Sequence, residues 1–325
     1  MNILVTGGAG YIGSATAEAL LKAGHTVTVY DSLVTGHRAA VPEGATFIQA
    51  DLSDSHALAE ALTQSKFDAV MHFAAFIEAG ESMKEPGRFY QNNVTNSLRL
   101  MENAVRAGVK KFVLSSTAAV FASSDEPLTE ESPLGPTNVY GHTKLMVEQA
   151  LEWYRQIHGL HFAALRYFNA SGALPGRGEA HQPETHLIPL VLQVPLGLRD
   201  SIGIFGTDYP TPDGTCIRDY IHIADLVSAH LLALDGLGER DQLIYNLGSG
   251  TGYSVREVIE TARQVTGQRI PTKELPRRPG DSARLVASSE KIKRELGWKP
   301  KHDDLSEIIT SAWAWHKWHP KGYQE

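Results

Sequence analysis

A short apolar run, Asn2–Thr6 (NILVT), leads straight into Thr6-Gly7-Gly8-Ala9-Gly10-Tyr11-Ile12-Gly13 and then into a helical pattern that stops at Gly24. This G-x-x-G-x-x-G turn between strand and helix constrains the fold more than any other feature of the chain. Gly7 and Gly10 permit a tight turn and a close backbone approach to a pyrophosphate. Gly13 lets helix and strand pack closely, and the helix N-terminus turns free N–H groups toward an anion. The same alternation continues with apolar runs at 26–30, 46–50, 69–73, 111–115 and 161–166, separated by helical patterns at 55–64, 92–107 and 139–158. The expected architecture is α/β: a Rossmann-type doubly wound parallel sheet over residues 1–168, with a smaller, irregular C-terminal lobe over 169–325, some segments of which return to the first domain. In that second half Pro and Gly become frequent, and helices are expected at 223–234, 254–266 and 305–318.

A dinucleotide is the ligand this opening predicts. Asp31 closes the second strand, where its carboxylate accepts from adenosine ribose hydroxyls and repels a 2′-phosphate, so NAD is favoured over NADP. Asp51 and Leu52 follow the third strand, in reach of the adenine edge. The formal net charge of −7 argues against nucleic acid as a partner, and no apolar run approaches a membrane span. Cys216 is the single cysteine, which excludes an internal disulfide and fits a soluble, cytoplasmic protein. The fourteen histidines are scattered, some beside tryptophans (His316 and His319 near Trp315 and Trp318), and no metal is expected.

Chemistry enters with Tyr140 and Lys144, four apart at the start of a helical pattern, so that both side chains leave one face. A phenol titrates near ~10, and a neighbouring ammonium favours its ionised form, which makes Tyr140 a usable base. The strand end Ser115-Ser116-Thr117 precedes this pair.

With these motifs in this order, the chain resembles the extended short-chain dehydrogenase/reductase superfamily along its whole length. Within it, HFAA at 72–75, GES at 80–82, NNV at 92–94, SSTAAVF at 115–121, YGHTKLMVEQ at 140–149, RYFNASGA at 166–173 and, most specifically, IFGTDYPTPDGTCIRDYIHIADL at 204–226 are similar to the UDP-glucose 4-epimerases. The resemblance implies that Thr117 holds the sugar 4-hydroxyl, Tyr140 is the acid/base, and Lys144 activates it and anchors the nicotinamide ribose. It also implies further cofactor contacts at Tyr11, Ile12, Ser32, Leu33, Thr35, Gly36, Phe73, Ala74, Ala75, Ile77, Asn93, Ser115, Tyr167 and Phe168. Nucleotide-sugar contacts fall on Asn169, His186, Leu187, Gly203, Ile204, Phe205, Arg218, Arg278, Asp281 and Leu285. Guanidinium groups such as those of Arg218 and Arg278 suit a diphosphate. Taken alone, Arg218 pairs with Asp219 or Asp225, and Asp281 caps a turn.

The implied reaction is a C4 inversion of UDP-galactose or UDP-glucose through a 4-keto sugar, with hydride lent to a tightly held NAD and returned. A 4,6-dehydratase needs an Asp-Glu pair after the strand-end Thr, where this chain has Ala118 and Ala119. A UDP-glucuronate or UDP-pentose epimerase stays open, as does an NAD-sensing protein without catalysis, which the joint presence of Thr117, Tyr140 and Lys144 argues against. Three positions depart from the usual pattern: Ile77 replaces a lysine, His186 an asparagine and Leu285 a tyrosine. The last leaves room for an N-acetyl group and predicts some activity on UDP-N-acetylglucosamine. Helical stretches 92–107 and 144–157 correspond to the dimer contact of relatives, so a homodimer is expected.

Overall fold

In the computed structural model, which describes residues 1–122, 124, 126–278 and 281–324, the apolar runs of the first half become six parallel strands. They are β1 (Asn2–Thr6), β2 (Thr26–Asp31), β3 (Thr46–Gln49), β4 (Ala69–His72), β5 (Lys111–Thr117) and β6 (His161–Tyr167). A seventh strand, β7 (Gln242–Leu247), comes from the second half and pairs parallel with β6, Leu243 opposite Ala163 and Leu247 opposite Tyr167. The sequence reading stops at six because polar Gln242 and Asn246 interrupt that run. The order across the sheet is β3-β2-β1-β4-β5-β6-β7. The chain therefore reverses its direction of travel between β1 and β4, and a crevice opens beyond their C-terminal ends, the usual ligand position in a doubly wound sheet.

Helices cover both faces. α1 (Tyr11–Lys22) lies on one side, α2 (Ser55–Gln64), α3 (Asn96–Arg106) and α4 (Val139–His158) on the other. Leu58, Leu62, Leu100, Met101, Ala104, Val147 and Leu151 of the latter three pack with Val70, Phe112 and Phe162 of the sheet. The C-terminal half contributes α5 (Leu187–Gln193), α6 (Ile223–Gly236), α7 (Val255–Thr266) and α8 (Leu305–Trp318). α6 sends Leu226, Ala229 and Ala233 into the core that Ile3, Val5 and Ala15 share. α5, α7 and α8 build a separate core from Ile188, Val191, Val258, Ile259, Ile308 and Ile309. A Ser254–Glu257 capping box starts α7, and Asp304 caps α8. Among the described residues, no helix is long and apolar enough to cross a membrane.

One expected helix changes form. The stretch 92–107 is regular only from Asn96, because residues Tyr90–Thr95 form a π-type turn. Asn93 accounts for the distortion: its carboxamide accepts from Phe76 N (2.9 Å) and donates to Phe76 O (2.9 Å) and Thr143 Oγ1 (3.1 Å). Those bonds draw the backbone toward α4 and the 76–78 loop, a typical setting for an inserted wide turn near a site.

Candidate active site

The crevice at the end of β1 and β4 is shaped by what its glycines exclude. Gly7 has φ +71°, and a Cβ there would lie 2.5 Å from Ala74 N; a Cβ on Gly13 would lie 2.2 Å from Gly7 O. Both contacts are with backbone, so neither position admits a side chain without moving the turn. Gly10 caps α1 with no side-chain hydrogen bond and no acidic residue in the first turn. The first N–H groups of α1 are thus left for an external anion.

Asp31 is buried beside this turn. Its Oδ2 accepts from Ala9 N (2.9 Å) and its Oδ1 from Leu33 N (2.8 Å). Burial pushes the carboxyl above its ordinary value, and the two amides and His37 oppose that. The Asp31–Leu33 bond closes a local turn that holds Leu33 at φ +59°, the only non-glycine residue of positive φ among those described. Asp51 lines the same crevice, its Oδ1 accepting from Ser53 N (2.7 Å).

One cavity is lined by Gly7, Gly10, Tyr11, Ile12, Gly13, Asp31, Ser32, Thr35, Gly36, Asp51, Leu52, Phe73, Ala74, Ala75, Ile77, Ser115, Thr117, Tyr140, Tyr167 and Phe168. Three expected cofactor residues do not reach its wall. Leu33 contributes its backbone turn. Asn93 is turned away to fasten Phe76, and its neighbour Asn92 takes the wall position. Lys144, only 3% exposed, lies behind the wall and donates to Ser115 O at 2.9 Å.

A second cavity, about 450 Å³, adjoins the first and shares Asn169, Ala170, Glu179 and His186 with it. Leu187, Gly203, Phe205, Arg218, Arg278 and Asp281 line it, with Arg199 as a third cation. Ile204 faces the C-terminal core instead, since alternate residues of a strand point to opposite sides. Leu285 also lies off both walls, packed with Phe168 and Leu145 against Val120, Phe121 and Leu128. Arg218 donates to the carbonyls of Ile217 (2.9 Å) and Ser282 (3.0 Å) and lies 3.4 Å from Asp281. Neither Asp219 nor Asp225 is its partner; each accepts backbone amides, Asp219 from Ser249, Gly250 and Ala287, Asp225 from Lys301 and His302. Arg278 stacks on Phe205, 3.8 Å from the ring centroid, which holds the guanidinium plane at the wall.

Tyr140 lines the first cavity together with Thr117. Burial pushes its phenol up to about 12; the Thr117 hydroxyl pulls it down, and the Glu78 charge raises it. Burial lowers the Lys144 ammonium to about 8, with Glu148 opposing. Beneath them Glu148 and Arg166 form a buried ion pair, Nη2 to Oε2 2.6 Å, with Ser116 also donating to Glu148. The Ser115 and Tyr167 hydroxyls are hydrogen bonded beside them. A phenol that loses its proton here and an ammonium that keeps its own would stabilise each other, the ammonium being buried behind the cavity wall.

Over residues 3–248 the chain matches the NAD dependent epimerase/dehydratase family. The chain belongs to that family. A UDP-glucose 4-epimerase of Streptococcus mutans is 50% identical over 100% of this chain and 99% of its own. A crystal structure of a UDP-glucose 4-epimerase superposes with a TM-score of 0.97 at 50% identity, covering 100% of both chains. A UDP-glucose 4-epimerase from Bifidobacterium longum, solved in complex with NAD⁺ and UDP, gives 0.94 at 35% identity over 99% of this chain and 100% of its own.

Like the rest of the NAD dependent epimerase/dehydratase family, the chain uses NAD, and its residues fit that cofactor. The backbone cradle at Gly7 and Gly13 has no space for side chains, the α1 terminus is uncapped, and Asp31 puts a carboxylate on the same wall. Sequence reasoning missed Tyr30, Val34, Ala50, Phe76, Glu78 and Asn92 on the same wall. Of these, Glu78 matters most, because it sets a negative charge near Tyr140 next to the position where Ile77 replaces a lysine.

Proposed function

We propose that this chain is an NAD-dependent UDP-glucose 4-epimerase, interconverting UDP-galactose and UDP-glucose by inverting C4. The observation that carries this reading is the continuity of the two cavities, with Tyr140 and Thr117 on the first and Arg218 and Arg278 on the second. A ligand whose diphosphate lies between those arginines extends its sugar through the shared Asn169 and Ala170 toward Tyr140. When bound, NAD⁺ supplies a reversible acceptor for the hydrogen on the sugar C4. The Tyr140 phenolate takes the proton of the 4-hydroxyl, and Thr117 hydrogen bonds that oxygen and aligns it. Lys144, held to the Ser115 carbonyl, keeps a positive charge behind Tyr140 that favours its phenolate over the phenol. The arginines keep the nucleotide bound while the 4-keto sugar presents its other face, and Tyr140 then returns the proton. Binding energy concentrated on the diphosphate leaves the sugar free to turn.

The test is incubation of purified protein with UDP-galactose and no added NAD, with UDP-glucose followed by chromatography. Product formation, abolished in Tyr140→Phe, is expected; strict dependence on added NAD with a keto sugar accumulating would reject the reading.

The same proposal extends to a homodimer formed through α3 and α4. Leu98, Trp153 and Ile157 are exposed large apolar residues on those helices, Trp153 at 62% and Ile157 at 67%. Light scattering should give twice the chain mass for the native protein and the chain mass for Trp153→Glu; a native monomer refutes it. Activity on UDP-N-acetylglucosamine is also proposed, since Leu285, packed against the wall residue Phe168 from behind, is smaller than a tyrosine, and no turnover where UDP-galactose reacts would refute it. The cytoplasm suits a chain whose single cysteine, Cys216, is a buried free thiol.

A further inference from the structure

Away from Tyr140, the densest set of ligating side chains lies on the segment that leads into α5. Glu179, His181, Glu184 and His186 each offer one donor atom, and those four atoms all lie within 4.8 Å of one another. The pattern E-x-H-x-x-E-x-H draws them from one short stretch of chain. Glu179 is at the centre: its Oε1 lies 3.0 Å from His181 Nδ1 and 2.7 Å from His186 Nδ1. Glu184 Oε1 lies 2.9 Å from His186 Nδ1.

The donor types and the burial of the two carboxylates suit a cation. Glu179 and Glu184 have side chains only 6% and 8% exposed, and two carboxylates so close together in a desolvated site need compensation. Among the described residues, neither forms a salt bridge with Lys or Arg; the adjacent Arg177 is engaged by Glu18 and the Ala40 carbonyl. In the metal-free protein the two carboxylates hold His186 in its charged form; an ion that displaces that proton meets two neutral imidazoles and two carboxylates, a set of about −2 that one divalent ion cancels. The surrounding backbone is already fixed. Trp315 Nε1 donates to Glu179 O (3.1 Å), His37 Nε2 lies 2.9 Å from Ala180 O, and the Tyr323 hydroxyl lies 3.3 Å from Gly178 N.

We propose that Glu179, His181, Glu184 and His186 form a closed, four-ligand site for a divalent transition metal, zinc by preference. Two imidazoles and two carboxylates without a thiolate suit zinc, and four protein ligands describe a structural site. A tetrahedral ion with bonds of ~2.0–2.2 Å keeps its ligand atoms roughly 3.3–3.6 Å apart, so on loading the three close pairs open by about half an ångström while any wider pair draws in. Glu179 and His186 line both cavities. The metal thus clips the loop that separates the cofactor from the nucleotide sugar, and ligation through Nδ1 fixes His186 as an Nε2–H donor.

The test uses tag-free protein purified with its NAD, stripped with a chelator and titrated with zinc chloride by calorimetry, with metal content measured by mass spectrometry. Expected are one zinc per chain, a rise in Tm on loading, and visible ligand-field absorption of a tetrahedral site when Co²⁺ replaces zinc. His181→Ala and Glu184→Gln should lose stoichiometric uptake and the Co²⁺ absorption, while their Tm in chelator stays near that of stripped native protein. Absence of stoichiometric uptake by native protein overturns the proposal. So does unchanged zinc and Co²⁺ binding in both variants.

Discussion

Replacing Lys144 with methionine tests whether its charge, rather than its bulk, makes Tyr140 a base. The two residues are one helical turn apart on α4, and Lys144 is 3% exposed, so solvent screens the pair little. At a separation of ~6 Å and an effective dielectric of ~20, the interaction is ~2.8 kcal/mol, or ~2 pKa units. Burial and the Glu78 charge, against the Thr117 hydrogen bond, push the Tyr140 phenol up to about 12. Loss of a neighbouring cation raises it further, which at any fixed pH leaves less phenolate. At pH 7.5 the variant should therefore show kcat reduced ~100-fold, with log kcat climbing at unit slope up to pH 10. Because burial lowers the Lys144 ammonium to about 8, the native advantage should narrow as pH rises through about 8 and that charge is lost. The assay is kcat for saturating UDP-galactose from pH 6 to 10. A loss of rate that is the same at every pH would refute the electrostatic argument and leave Lys144 as a packing or anchoring residue.

Other outcomes follow from the same geometry. Gly13→Ala places a Cβ 2.2 Å from the Gly7 carbonyl, so the purified variant should release little or no NAD on denaturation; a native cofactor content would show that the turn can shift. Arg166→Met leaves Glu148 buried and unpaired, which costs about 3–5 kcal/mol and should lower the urea midpoint clearly; an unchanged midpoint contradicts it. His72 and His230 are buried, with burial lowering them to about 3 and about 4. Folded values below the unfolded ~6.5 mean that the unfolded chain binds more protons, so stability present at pH 7 falls as pH drops from 6.5 toward 4. Roughly 2 kcal/mol per histidine should be gone at pH 5, measurable as a shift in urea midpoint, and a flat profile would contradict the assignment.

Much of the fold is legible in the sequence because strands buried on both faces must be apolar throughout, and β1, β2, β4, β5 and β6 are such runs. β7 is harder to see: it lies at the sheet edge beside β6, and its Gln242 and Asn246 break the run. The cofactor turn is a local motif, so Gly7, Gly10, Gly13 and Asp31 could be named from spacing alone. Asn93 and Lys144 show the limit of that reasoning. Spacing identifies a chemical type near the site, whereas long-range bonds to Phe76 and Ser115 decide whether the side chain reaches the wall or supports it from behind. Glu78 and Glu179 could not be found this way, because only tertiary packing brings them to the cavities.

The central claim is that the chain removes and restores the C4 hydrogen on a cofactor it keeps, with Tyr140 handling the proton. The most direct test follows UDP-galactose deuterated at C4 through one conversion by the purified protein in ordinary water, without added NAD. The account predicts UDP-glucose that retains deuterium at C4. Product with that position replaced by solvent hydrogen would contradict it.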